Sequence, residues 1–143
     1  MGFHGVRLMG NGTVVERVRS FSNGGPGIVV GTGSVIDSMT FLNGGTGIIA
    51  LMVRGSSAEG NRSVGIFIRD NGVATSNNSN FNGGDGITAN KATVTGNTVN
   101  SNNGFGIAAT CPSSIVGNTV VANLRGSIQQ GGAGACTLAN NAQ

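Results

Sequence analysis

Apolar residues fall along this chain in short runs, each framed by glycine and asparagine, and the runs return at a spacing far longer than any helical or strand period. Ile28-Val29-Val30, Ile48-Ile49-Ala50 and Ile66-Phe67-Ile68 are typical. No 3.6-residue periodicity lasts three turns, which argues against helices, and such short β-type runs cannot make a stable hairpin alone. The framing strings are near copies of one another: Asn23-Gly24-Gly25-Pro26-Gly27-Ile28, Asn43-Gly44-Gly45-Thr46-Gly47-Ile48 and Asn82-Gly83-Gly84-Asp85-Gly86-Ile87. Weaker copies stand at Asn61-Arg62-Ser63-Val64-Gly65-Ile66, Asn102-Asn103-Gly104-Phe105-Gly106-Ile107 and Asn123-Leu124-Arg125-Gly126-Ser127-Ile128.

The glycine before each aliphatic run lies at positions 5, 27, 47, 65, 86, 106 and 126, giving intervals of 22, 20, 18, 21, 20 and 20. A second pattern accompanies the first: Thr93-Val94-Thr95-Gly96-Asn97-Thr98-Val99 resembles Ser114-Ile115-Val116-Gly117-Asn118-Thr119-Val120, and Val14-Val15-Glu16-Arg17 is aligned with Val35-Ile36-Asp37-Ser38. A unit of this size cannot bury its apolar side by itself, whereas parallel stacking about 4.8 Å apart buries it continuously. The expected fold is all-β: a right-handed parallel β-helix, or solenoid, of about six to seven short coils filling residues 1–143 as a single domain. A left-handed hexapeptide helix needs coils in multiples of six, which only the 18-residue interval meets, and a β-sandwich has no need of one string repeated in successive strands. Recurrent Asn-Gly marks a corner visited once per coil, and stacked asparagines there are expected to form an amide ladder along Asn23, Asn43, Asn82 and Asn102. Phe3, Phe21, Phe41, Phe67, Phe81 and Phe105 recur near coil intervals and are assigned to the core or a corner.

Composition narrows the function classes. Only 9% of residues are charged, against about 25% in an ordinary domain, and 27 glycines with abundant Asn, Ser and Thr give a polar but nearly uncharged exterior. The net charge of +3 comes from scattered basic residues with no aromatics between them, so no nucleic-acid surface is expected. The longest apolar stretch, Gly47 to Val53, is far short of the roughly 20 residues of a spanning helix. No membrane partner is expected, and no charged n-region with an apolar run follows Met1, so no signal peptide is expected.

On these strings the chain resembles the bacterial right-handed parallel β-helix repeat proteins, the pectate-lyase-like superfamily in its broad sense, from about Gly5 to Asn141. The tail from Cys111 through Asn141 resembles the last coils of such proteins. The resemblance implies the fold and a mostly secreted or cell-surface setting. It leaves function open, because the superfamily holds polysaccharide lyases, hydrolases, epimerases, tailspikes and adhesins.

Lyases of that superfamily gather carboxylates around calcium with an Arg or Lys as base, and hydrolases use two or three Asp. The chain has five acids, Glu16, Asp37, Glu59, Asp70 and Asp85; the repeat alignment puts Glu16 and Asp37 in one column, the weak catalytic candidates, with Arg17 and Arg19 nearby. With no Trp or Tyr, an aromatic sugar platform is not expected, and the lone His4 has no ligand partners at metal spacing, so neither metal nor cofactor is expected. Cys111 and Cys136, 25 residues apart, suit a disulfide stapling neighbouring coils; two buried thiols in a reducing compartment are the alternative. Two readings follow: a non-enzymatic scaffold of the self-associating or surface-adhesion type, and a carbohydrate-active enzyme or polysaccharide-binding β-helix. Ice binding would need a regular Thr-x-Thr array, which is lacking. A homo-oligomer is expected through the N-terminal end, where Gly5-Val6-Arg7-Leu8 reads as repeat at once and a second copy would cover Phe3, Val6 and Leu8.

Overall fold

The computed structural model describes residues 3–143. Strands β1 (Val6–Glu16) and β2 (Arg19–Phe21) form the first coil; β3 (Ile28–Ile36) and β4 (Met39–Phe41) the second; β5 (Ile48–Arg54) and β6 (Ser57–Glu59) the third; β7 (Ile66–Thr75) and β8 (Asn78–Asn80) the fourth. Three strands build each of the next two coils, β9 (Ile87–Asn90), β10 (Thr93–Thr95) and β11 (Thr98–Asn100), then β12 (Phe105–Thr110), β13 (Ser114–Val116) and β14 (Thr119–Val121), before β15 (Gly126–Gly131) and β16 (Thr137–Ala139). All pairings are parallel and join one coil to the next, giving a ten-stranded and a six-stranded sheet in a solenoid of about seven turns. Among the described residues no helix is long and apolar enough to cross a membrane.

The ten-stranded sheet changes character midway. Its early strands run unbroken through a bend, but in the later coils the backbone leaves β geometry there, at Lys91 with φ of 47° between β9 and β10 and at Cys111-Pro112-Ser113 between β12 and β13, giving separate runs, β9-β12-β15 and β10-β13-β16. The solenoid is therefore three-sided: an outgoing face led by the Ile28 column, a second face led by Val35, and the six-stranded sheet.

Each face sends one or two side chains per coil inward. Ile28, Ile48, Ile66, Ile87 and Ile107 form one fully buried column; Val35, Val53, Ala74, Val94 and Ile115 form another; Thr40, Ala58, Ser79, Val99 and Val120 line the six-stranded sheet. Each isoleucine and valine among them contributes roughly 1.5–3 kcal/mol of burial. The bore admits aliphatic and small residues only. The phenylalanines are outside it: Phe3, Phe21 and Phe81 are exposed, Phe41, Phe67 and Phe105 half-buried, which corrects their assignment to the core.

Two polar ladders seal the corners. Asn23, Asn43, Asn61, Asn82, Asn102 and Asn123 stack so that each amide nitrogen donates to the next side-chain oxygen at 2.8–3.1 Å, extending the expected ladder through Asn61 and Asn123. The same oxygens also accept the preceding asparagine's backbone N–H. A second ladder, absent from the sequence reading, runs at the opposite corner from Ser38 and Ser56 through Asn77, Asn97 and Asn118 to Asn141. Buried polar groups are thus satisfied coil by coil, as their desolvation demands.

The registers correct two alignments. Glu16 pairs with Ile36, so the early copy runs one residue out of step with the sequence alignment. At the other end Ile128 pairs with Ile107 and Gly126 with Phe105, so Ser127 takes the anchor place and the last interval is 21.

The sulfurs of Cys111 and Cys136 are bonded, with Cα atoms 5.0 Å apart. Closing a loop of 25 residues should stabilise the folded state by about 3 kcal/mol. A thermal melt with and without reductant checks this; an unchanged midpoint would show that the last coils hold without the bond.

Candidate functional site

The two acids singled out in sequence are not brought into one column. Glu16 lies on β1 opposite Ile36, whereas Asp37 sits at the corner, its backbone N–H bonded to Arg54, in the column of Arg17 and Gly55. A slip of one residue in a period-two strand changes the direction a side chain faces. Glu16 instead pairs with its neighbour Arg17 at 3.4 Å, both largely solvated, a contact worth little. Asp85 is occupied in structure, accepting the Phe105 N–H at 2.8 Å. His4 is half-buried, and among the described residues no group of three or more His, Cys, Asp or Glu gathers where a metal ion could be held. Glu59 and Asp70 each line a hollow of their own.

The hollow around Asp70 is built by a long bend of the ten-stranded sheet. In β7 the chain spends Arg69-Asp70-Asn71-Gly72 between Ile68 and Val73, where β5 passes from Ala50 to Met52 through Leu51 alone. The surplus bulges outward, with Asn71 in the left-handed region at φ 61°, a conformation asparagine tolerates best among residues with a Cβ. Thr32, Leu51, Phe67, Arg69, Asp70 and Asn90 enclose about 370 Å³. The Arg69 Nε is shielded from solvent and has no hydrogen-bond partner.

A second hollow of about 180 Å³, lined by Thr88, Ala108, Thr110 and Gln129, continues the first along the solenoid axis. Phe67, Thr88, Ala108 and Gln129 are in direct register on four successive coils, as are Asn90 and Thr110. Thr110 Oγ1 donates to Asn90 Oδ1 at 3.2 Å, and Thr32 Oγ1 to Asn11 Oδ1 at 2.9 Å. A shallow groove therefore runs lengthwise over the face, with an apolar ring, a guanidinium, a carboxylate and a file of hydroxyls and amides. Sequence inspection missed it because Arg69 and Asp70 belong to no repeated string. The departure of that bend from the repeat was the available signal.

The family described as "Right handed beta helix region" matches residues 4–142 of the chain. No curated protein matches it in sequence. Among solved structures, the A-module of the mannuronan C-5 epimerase AlgE4 from Azotobacter vinelandii is similar, with a TM-score of 0.72 at 13% identity over 96% of this chain. The alignment takes in 53% of that module, so the chain spans about half its length. The likeness is one of fold.

Proposed function

We propose that this chain, which belongs to the right-handed β-helix family, is a non-enzymatic module that holds an extended polysaccharide along the groove of its ten-stranded sheet. The observation that carries the reading is the alignment over successive coils of an apolar ring, Phe67, with polar side chains at Thr88 and Gln129 in its own row and Asn90 and Thr110 in the next. A polymer that repeats along its length is matched by a site that repeats along its own. Phe67 offers an apolar face to the C–H side of a sugar ring. Arg69 supplies donors suited to a carboxylate or to hydroxyls, and Asn90, Thr88, Thr110 and Gln129 supply neutral partners. The fold's likeness to an epimerase of mannuronan supports an acidic glycan as the first ligand to try.

Binding is favoured over hydrolysis because glycosidases place two carboxylates across the scissile bond, and Asp70 is the acid lining this groove. Titration calorimetry with polymannuronate, polygalacturonate and a neutral glucan tests the proposal. Arg69→Ala and Phe67→Ala are each expected to weaken binding about tenfold, or roughly 1.4 kcal/mol. No affinity for any of the three polymers, or affinity indifferent to both changes, would refute it. An enzymatic reading draws on the adjacency of Arg69 and Asp70; unsaturated product or new reducing ends, lost in Asp70→Asn, would favour it instead.

A further inference from the structure

The six-stranded sheet carries another groove, facing a different side of the solenoid. Met39, Phe41, Leu42 and Phe81 line a hollow of about 480 Å³, with Arg19 at one margin and Glu59 at the other. The middle residue of each short strand points inward and the outer two face solvent. Arg19 and Met39 share one outward column; Phe21, Phe41 and Glu59 share the other. The two charges thus sit diagonally, two strands or about 10 Å apart across the stack. Between them Phe21 and Phe41 stack nearly parallel, with centroids 4.9 Å apart and planes at 12°. Phe21 and Leu42 are 55% and 63% exposed, which makes a contiguous apolar patch of the kind that marks an interaction surface. Further along the same sheet the outward residues turn polar, with Asn78, Asn80, Thr98 and Asn100, so the patch has a boundary.

We propose that this flank docks against the same flank of a second copy, about a two-fold axis lying in the interface between Arg19 and Glu59. An isologous contact requires a patch that complements itself, and one cation and one anion set diagonally across an apolar plate meet that requirement. The rotation brings Arg19 of each copy over Glu59 of the other, both pairs forming at once, while the phenylalanine plates close between them. Neither charge is spent within the subunit: among the described residues the ion pair is Arg17 with Glu16. This places association on a flank, not on the N-terminal end expected from sequence.

Sedimentation equilibrium over micromolar concentrations tests it. The wild-type chain should be a reversible dimer that loosens as salt rises. Arg19→Glu and Glu59→Arg alone should each weaken it on the order of a hundredfold, because each sets like charges face to face at both ends of the contact, and the two together should restore it. Phe41→Gln, at a half-buried outward position stacked on Phe21, should abolish the dimer in a chain that still unfolds cooperatively. A monomer throughout, a dimer that no charge reversal alters, or a double reversal that fails to rescue would each overturn the proposal. Polysaccharide binding on the ten-stranded sheet should persist in all four variants, so failure of either reading leaves the other standing.

Discussion

Asn82→Ala is expected to destabilise the protein by about 3–5 kcal/mol, far more than loss of an average side-chain hydrogen bond. Asn82 is fully buried at the middle of its ladder. Its oxygen accepts from Asn61 Nδ2 at 3.1 Å and Asn61 N at 3.0 Å, and its nitrogen donates to Asn102 Oδ1 at 2.9 Å and to the Ala58 carbonyl at 3.0 Å. Alanine orphans the Asn61 N–H and takes one partner each from Asn61 Nδ2 and Asn102 Oδ1, which keep only the Thr40 carbonyl and the residue-82 N–H, and a buried orphan costs about 1–3 kcal/mol. The ladder's last rung offers the comparison. Asn123 donates to two carbonyls at 3.0–3.1 Å and accepts from Asn102 N and Nδ2 at 2.9–3.0 Å, but it is only partly buried and water can replace its bonds, so Asn123→Ala should cost only about 1–2 kcal/mol. Equilibrium unfolding in guanidinium measures both. Equal losses at the two positions would mean that the ladder contributes through its ends alone and not through burial.

Gly47→Ala should be more severe still, with about 4 kcal/mol or more lost and little folded protein recovered, above the usual 1–3 kcal/mol of overpacking. The reason is space and not backbone freedom, since Gly47 is not among the residues of positive φ. A Cβ there would lie 2.6 Å from the Gly65 carbonyl oxygen, 2.7 Å from Asn61 Nδ2 and 2.7 Å from Thr40 Oγ1. One of those atoms is backbone and the others are buried, so none can withdraw cheaply. Gly117 is the converse: its φ is 64°, yet a Cβ would have nothing within 4 Å. Gly117→Ala should therefore cost only the left-handed penalty of about 1–2 kcal/mol. Unfolding free energies of the two variants would separate a steric glycine from a conformational one; a small loss at Gly47 would mean that adjacent coils can part to admit a methyl group.

These same glycines made the fold legible. Asn-Gly-Gly-x-Gly-Ile is one physical requirement written out repeatedly: an amide for the ladder, a backbone close enough to exclude a Cβ, and an isoleucine for the bore. The second ladder escaped notice because it begins with Ser38 and Ser56, whose hydroxyls do an amide's work with different letters. Phenylalanine spacing misled, since recurrence once per coil shows that residues share a column without showing which way the column faces. The Glu16 and Asp37 pairing failed by one residue because Val14-Val15 and Val35-Ile36 look alike, while the true partners are Val15 with Val35. The groove was illegible for the opposite reason: Arg69 and Asp70 stand in a bend that belongs to no repeated string.

That last point bears on how such a protein can change. Through the first four coils the strand pairings slip only at the bend of the ten-stranded sheet, between Leu8 and Val14, Val29 and Ser34, and Ala50 and Met52. The coils differ in length there while the isoleucine and valine columns on either side keep step. The bend is also what walls the Arg69 groove. The stretches that hold the columns in step and the stretch that shapes the outer wall are thereby separate parts of the same coil. Lengthening, shortening or recharging that wall would reshape the outer surface while the interior columns stay as they are.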